Sequence, residues 1–313
     1  MAKVREARFR RSAAVWVTWV VWLATLAAGC ATEKLAANMA VDLAARTKSS
    51  FSQESDLELA RGAAASGLKQ LEGFLLVTGK RPDLLAMLTE GFCGWGAGFL
   101  QDDWEVAVIE RGADGAEIAA SARSAFGRCA RYAAWQLPAP LARILELTDA
   151  EAQVALAAAR PVDAAPLYWL TAAHATLLGM TGELGLALRL PRMLAVLRRV
   201  IELSPTFEHG QAHLLLGVLL SAAPVGGDLD EGGRQLARAR ALSDGRLLIV
   251  DVLTARAHAV ARGDRARFVA LLTRVLATSP AVFPEQRLSN ELAHRMARRY
   301  LRLGARWFAP LPR

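Results

Sequence analysis

The sequence predicts an all-α protein built of stacked helical hairpins. Three observations carry the prediction. The chain is rich in Ala, Leu and Arg and poor in Tyr, Ile and Thr, a balance that favours helix over strand. Apolar residues recur at three- and four-residue steps, as in Leu57, Ala60, Ala64, Leu68, Leu71 and Leu75. Gly and Pro break the chain at intervals of about a helix length, and no segment sustains an alternation of period two.

The N-terminus comes first. MAKVREARFRR holds five basic side chains and one acid, residues 13–28 carry no charge, and Ala28-Gly29 precede Cys30. Basic, apolar, small is the order of an export signal. As a helix the apolar run would rise about 24 Å, short of the ~30 Å hydrocarbon core, so a permanent span is strained. The missing polar face argues against a core helix. The junction resembles a bacterial lipobox, whose cysteine becomes the new N-terminus and carries lipid. Ala27 stands where such signals usually have Leu, with Leu26 one place earlier. The expected organisation is a signal peptide over 1–29, a lipidated Cys30, an N-terminal lead over 30–55 and a single helical-repeat domain over 56–313. Ordinary cleavage near Cys30, an uncleaved anchor and a twin-arginine reading of Arg10-Arg11 are the alternatives. Ala31, where an acid would favour retention at the inner membrane, points to the outer one.

After the polar stretch Thr47 to Ser55, Asp56 is placed to cap the first helix of the domain. TGKRPD ends that helix, with Gly79 as its C-terminal cap and Pro82 opening the next. The second helix is expected from Asp83 to Leu100 and the third from Glu117 to Gln136, ending at LPAP. Further helices are expected at 164–179, 186–203, 207–222, 229–242, 246–262, 264–278 and 285–303. The breaks between them are Pro161 with Pro166, Gly182, Pro205, Pro224 with Gly226-Gly227, Gly245, Gly263 and Pro280. RVIELSP, Arg199 to Pro205, returns 75 residues later as RVLATSP, Arg274 to Pro280. That spacing is close to two tetratricopeptide-like units of about 34 residues plus an insertion. In AHLLLG, Gly217 would let a paired helix approach closely. One such hairpin cannot bury its own apolar face; stacked hairpins can, and the stack curves into a superhelix with a concave surface.

Charge narrows the function. The first 29 residues take five of the 38 basic and one of the 30 acidic side chains, so the net charge of +8 falls to +4 for residues 30–313. This argues against a nucleic-acid binder, which displaces counterions with a basic stripe. Cys93 and Cys129 can oxidise outside the cytoplasm. If the turn RGADG joins a helical hairpin, they lie 20 residues before and 16 after Ala113. The mismatch is about 6 Å of helix rise, near the limit for a bridge. Two buried thiols are the plainer reading.

The motif search finds little bond-making chemistry. EHGQAH sets His209 and His213 four apart, but Gly210 stands where a zincin has its catalytic Glu, so no metal is expected. GFCGWGAGF, Gly91 to Phe99, follows no strand and lacks a Lys-Ser/Thr ending. It reads as close helix packing, with Trp95 and Phe99 filling a neighbour's groove. QDDWE, Gln101 to Glu105, reads as a solvated turn at a helix end. No Gly-x-Ser-x-Gly elbow occurs, and neither an enzyme nor a cofactor is expected. PLYWLTAAH places Tyr168 and Trp169 at a helix start, with Leu170, His174 and Leu177 along one stripe. Core is the plainer reading. The lining of an apolar cleft is the sharper one, since a buried Tyr or Trp wants a partner for its polar atom.

PLYW, LPRMLAVLRRVIELSPTFEHGQAHLLLG (190–217), APVGGDLDEGGRQLARA (223–239), GDRARFVALLTRVLATSP (263–280) and PEQRLSNELAHRMA (284–297) together resemble the T component (TatT) of tripartite ATP-independent periplasmic (TRAP) transporters. The resemblance implies a lipid-anchored periplasmic protein of tetratricopeptide-like helices. It implies self-association as trimers, docking of the transporter's periplasmic substrate-binding protein, and a cleft for an apolar ligand. It carries over no catalytic residue. The cleft candidates are therefore chosen by chemistry: Tyr168, Trp169, His174, His213 and Asn290. Asn is mildly unfavourable inside a helix, so Asn290 reaching a loop carbonyl is an equal reading. A general scaffold for cell-envelope assembly is the alternative function, and a helical enzyme with an unrecognised site is the third.

Overall fold

A computed structural model of the chain describes residues 32–222 and 227–308, and no strand occurs among them. Cys30 lies outside the described residues. Helix α1 spans 32–52. It therefore takes up much of the stretch expected as a lead, because Ala37 and Val41 bury their side chains. Helix α2, Leu57–Thr78, starts where the Asp56 carboxylate accepts the N–H groups of Glu58 and Leu59, and ends at Gly79 with φ 75°. Pro82 opens α3, as its fixed φ allows.

Helix α3 departs from expectation. It does not stop at Leu100 but runs over 82–110, passing through π-helical turns at Gly96–Leu100 and Glu105–Glu110. The solvated turn expected at Gln101 to Glu105 is a helical segment instead, with Asp102 and Glu105 only 5% and 8% exposed. The cause is a partner no local pattern announces, Arg299.

The remaining helices are α4 (Ala116–Ala134), α5 (Asp149–Ala157), α6 (Ala164–Thr181), α7 (Leu190–Leu203), α8 (Gln211–Ala222), α9 (Leu229–Leu242), α10 (249–261), α11 (Arg265–Ala277) and α12 (Arg287–Phe308). Helix α5 was not expected. Its signal is the capping box of Thr148 and Glu151, each side chain meeting the other's backbone N–H. The helix expected over 186–203 is split, a short turn at Leu184–Ala187 preceding α7.

The helices pack in sequence: α3 on α4, α4 on α6, α6 on α7, α7 on α8, α8 on α9, and α10 with α11 on α12. Glycines set several of these seams. A Cβ at Gly91 would stand 2.4 Å from Leu68, one at Gly96 2.8 Å from Phe126, and one at Gly217 2.7 Å from Leu236. The close packing read from GFCGWGAGF and AHLLLG is thus present. Cys93 and Cys129 form a disulfide between α3 and α4, with Cα atoms 5.4 Å apart. The buried-thiol reading is corrected. The wider π turns put more residues into a given rise, which takes up the length mismatch between the two arms.

Helix α12 returns to α2 and α3, so the last helix meets the first ones. Ala60, Phe99 and Leu288 form a small apolar cluster there. Beside it, Arg299 donates to Asp102 Oδ1 and to Glu105 Oε2, both at 2.6 Å, and the Tyr300 hydroxyl donates to Glu105 at 2.8 Å. Arg295 faces the other oxygen of Asp102 at 2.6 Å. Arg299 and the two carboxylates are buried, whereas the Arg295 side chain keeps 27% exposure. Burial alone would lower the Arg299 guanidinium, but Glu105 and Asp102 outweigh it and hold it above its ordinary value. Outside this buried group, Arg302 reaches Glu110 at 2.7 Å with its own side chain 60% exposed.

Removing one partner of a buried pair strands the others. Arg299→Ala is expected to cost about 3–5 kcal/mol in urea unfolding. The exposed neighbour Arg302→Ala is expected to cost less than about 1 kcal/mol. Equal midpoints for the two variants would refute the closing role of Arg299.

Candidate functional site

Helix α6 carries three of the five cleft candidates. Tyr168 is buried, its hydroxyl donates to Gln211 Oε1 at 2.8 Å, and its ring meets Trp169 and Phe207, each at 4.9 Å between centroids. Burial, with the charge of Glu208, pushes its hydroxyl well above the ordinary tyrosine value. Trp169 is half-buried between two core clusters, and its carbonyl oxygen lies 3.6 Å from each sulfur of the disulfide. His174, one turn further on, is half-buried and donates from Nδ1 to the Leu170 carbonyl at 2.8 Å. Burial lowers its pKa, against the smaller opposing effect of that bond.

The other two stand apart. His213 on α8 is 8% exposed and bonds Gln235 of α9 through Nδ1 at 2.6 Å. Its expected neighbour on a helix face, His209, is not on that helix. Glu208, His209 and Gly210 all have positive φ, α8 begins at Gln211, and His209 packs its ring on Phe283. Asn290 is fully buried within α12. It accepts the Leu248 N–H at 2.9 Å and donates to the carbonyls of Arg246 and Pro280 at 3.0 and 3.1 Å. This is the loop-carbonyl arrangement allowed for by its mid-helix position. Tyr168 and Trp169 meet ring to ring and Gln211 links Tyr168 to the helix of His213, while His174 bonds the backbone of its own helix and Asn290 holds a separate seam.

Two adjoining grooves of about 470 and 530 Å³ lie elsewhere, along α9 where it faces α10 and α11. None of the five candidates lines them. Arg234, Arg262 and Arg267 do, together with His258. His258 is 3% exposed and donates from Nε2 to the Leu229 carbonyl at 3.0 Å, while its Nδ1 has no partner among the described residues. A Cβ on Gly233 would stand 2.6 Å from that Nε2. Burial first, then Arg267 and Arg262, lower the pKa of His258. The signal that sequence reading passed over is the four-residue step of Gly233, Ala237 and Ala241, interleaved with arginines.

On α6 the Tyr168 hydroxyl is already bonded, and the α9 grooves carry both guanidinium and carboxylate groups. A family model described as the TRAP transporter T-component matches residues 53–308. No match was found among the curated proteins.

The lowered pKa values of His174 and His258 fix the sign of a pH effect. Each is held below the unfolded value of about 6.5, so its contribution is complete above that pH. As pH falls through and below it, the unfolded chain takes up the proton more readily and stability is lost. The thermal midpoint is expected to drop between about pH 7 and 5.5, above the ordinary carboxylate range. His174→Gln is expected to shallow that drop; an unchanged slope would remove His174 from the effect.

Proposed function

Because the chain belongs to the TRAP transporter T-component family, we propose that it is the lipid-anchored periplasmic accessory protein of a TRAP-type uptake system, docking the transporter's substrate-binding protein. The observation that carries this is the match over residues 53–308. The disulfide between Cys93 and Cys129 supports it, since such bonds persist in oxidising compartments. Among the described residues no helix is long and apolar enough to cross a membrane. In this reading the tether is the lipid on Cys30, in the outer membrane, after removal of a signal peptide over 1–29.

A tetratricopeptide-like superhelix, one repeat domain from residue 56 onward, is part of the same reading. Its support is the internal echo. Arg199 and Arg274 occupy the same place in the two matching heptads. Each donates back to a preceding loop, to the Ala159 carbonyl at 3.0 Å and the Gly245 carbonyl at 2.9 Å. Self-association as a trimer gives a role to the apolar stripe of α1. Leu35, Met39 and Leu43 are 61%, 64% and 63% exposed, opposite the face that buries Ala37 and Val41. An apolar ligand would be received beside α6, where Trp169 and His174 are the half-buried candidates and Tyr168 and His213 form the wall behind them.

Two measurements test the proposal. The full-length chain is expected to co-purify with the substrate-binding protein of its own transporter; no complex at micromolar concentration would refute docking. Cys30→Ser is expected to move the protein from the membrane to the soluble fraction, and continued tight retention would refute the lipid as the sole tether.

A further inference from the structure

The start of α1 lies against the turn between α2 and α3. Arg81, at that turn, donates to the carbonyl and side-chain oxygens of Asn38 and pairs with Asp42. Further along α1, Lys48 pairs with Glu90 of α3. The two helices therefore run parallel, and the first turn of α1 projects past the α2–α3 turn. Thr32, in that first turn, is two residues after Cys30, a reach of at most roughly 8 Å. The lipid proposed for Cys30 would hold this end of the molecule at the bilayer surface.

The same end carries exposed apolar side chains. Leu76, near the end of α2, is 88% exposed. One turn on, the Lys80 ammonium lies 3.9 Å from the centre of the Trp135 ring, which closes α4 and is itself exposed. Helix α6 runs against α4, since Trp169 meets Cys129 while Glu183 meets Arg123. The opening of α6 therefore lies at the Trp135 end of α4, and Val162, two residues before it, is also exposed. Charge does not mark this end. Asp42 and Asp83 offset Arg81 and Lys80, and Glu33 offsets Lys34. What it offers is apolar surface with a tryptophan under a lysine, an aromatic ring and a long-stemmed cation that suit a membrane–water interface.

We propose that this end is a membrane seat, in which Leu76, Trp135 and Val162 enter the headgroup layer of the bilayer that holds the Cys30 lipid, with Lys80 at its surface. The tether decides for lipid over a protein partner, because it keeps these side chains within reach of the bilayer at all times. A lipid alone leaves the body free to pivot about its N-terminus. Apolar contacts beside the anchor fix its tilt, so that α3, α4 and α6 stand on the membrane and the α6–α7 joint faces away from it. The inference rests on the lipid-anchor reading above and names the face that meets the membrane.

The test uses the full-length lipidated chain in vesicles of phosphatidylethanolamine and phosphatidylglycerol, some of whose lipids carry a nitroxide quencher. The chain has three cysteines. Lipid blocks Cys30 in this reading, and Cys93 and Cys129 are joined, so one added surface cysteine takes a fluorescent label alone. Labels at Leu76→Cys and Val162→Cys are expected to lose most of their fluorescence to the quencher, and to lose it equally in high salt. The control is Leu184→Cys, 73% exposed beside Glu183. The Arg123 that Glu183 meets is about 18 Å along α4 from Trp135. Its label is expected to stay bright. Retention on vesicles without quenching at Leu76 overturns the seat while the tether stands. Quenching at Leu184 as deep as at Leu76, or quenching that salt abolishes, also overturns it. Oxidative cross-linking of Leu76→Cys to a second copy, without quenching, makes the patch a contact between copies and overturns it. A wild-type chain that takes up the label, or fails to stay on the vesicles, refutes the lipid on Cys30, and the seat falls with it.

Discussion

The contact on which the rest of the architecture depends is the buried meeting of Arg299 and Arg295 with Asp102 and Glu105. Consecutive helical pairs need only their neighbours to bury an apolar face. Nothing in that logic brings α12 back to α3, 197 residues earlier. Three buried charges, joined by the part-exposed Arg295, do. Each is costly alone, so the four are tolerated only together and in one geometry. The same requirement explains the backbone of α3. Its π turns flank the two carboxylates, at Gly96–Leu100 before Asp102 and beginning at Glu105 itself. Each π turn changes the direction in which the following side chains project, and here both acids end on the side that α12 covers.

What was legible in the sequence and what was not divides along the same line. Local signals were sufficient where the cause is local. Asp56, Gly79, Pro82, Gly182 and Gly263 all stand at helix boundaries, and α9 spans the residues its apolar pattern gave, Leu229–Leu242. The failures lie where a distant residue decides. Asp102 and Glu105 look solvated until Arg299 is present. The cysteine spacing looks too unequal for a bridge until the π turns shorten one arm. Helix α5 is the exception, a local signal at Thr148 and Glu151 that was overlooked. For the candidate residues, Tyr168 and Trp169 are in ring contact, His174 bonds the backbone of its own helix, and Asn290 belongs to a different seam. The α9 grooves were hidden because exposed charged residues on a helix look like ordinary solvated surface until a second and third helix wall them in.

The family match makes the molecule a TRAP transporter accessory component. Its buried polar groups are mostly bonded to one another or to backbone, as with Tyr168 on Gln211 and His213 on Gln235. Its charged residues of both signs are spread along the chain. A disulfide between α3 and α4 and an ion cluster between α3 and α12 brace the same helix from two sides. A braced frame keeps separate surfaces at fixed positions, which fits the docking reading proposed above.

The α6 aromatics also have a mechanical part. Between α7 and α8 the chain holds Glu208, His209 and Gly210 in the left-handed region, at φ 43°, 58° and 92°. For a residue with a side chain this costs about 1–2 kcal/mol. The strain is held from three sides: Phe207 packs on Tyr168, His209 on Phe283, and a Cβ at Gly210 would stand 3.1 Å from the Ala239 Cα. Tyr168 is thus one of the contacts that fix the joint between α7 and α8. A ligand that displaced Tyr168 would have to release that joint as well. In the reading proposed above, contact with an apolar ligand would therefore fall to Trp169 and His174, which are half-buried, and Tyr168 would stand behind as part of the joint.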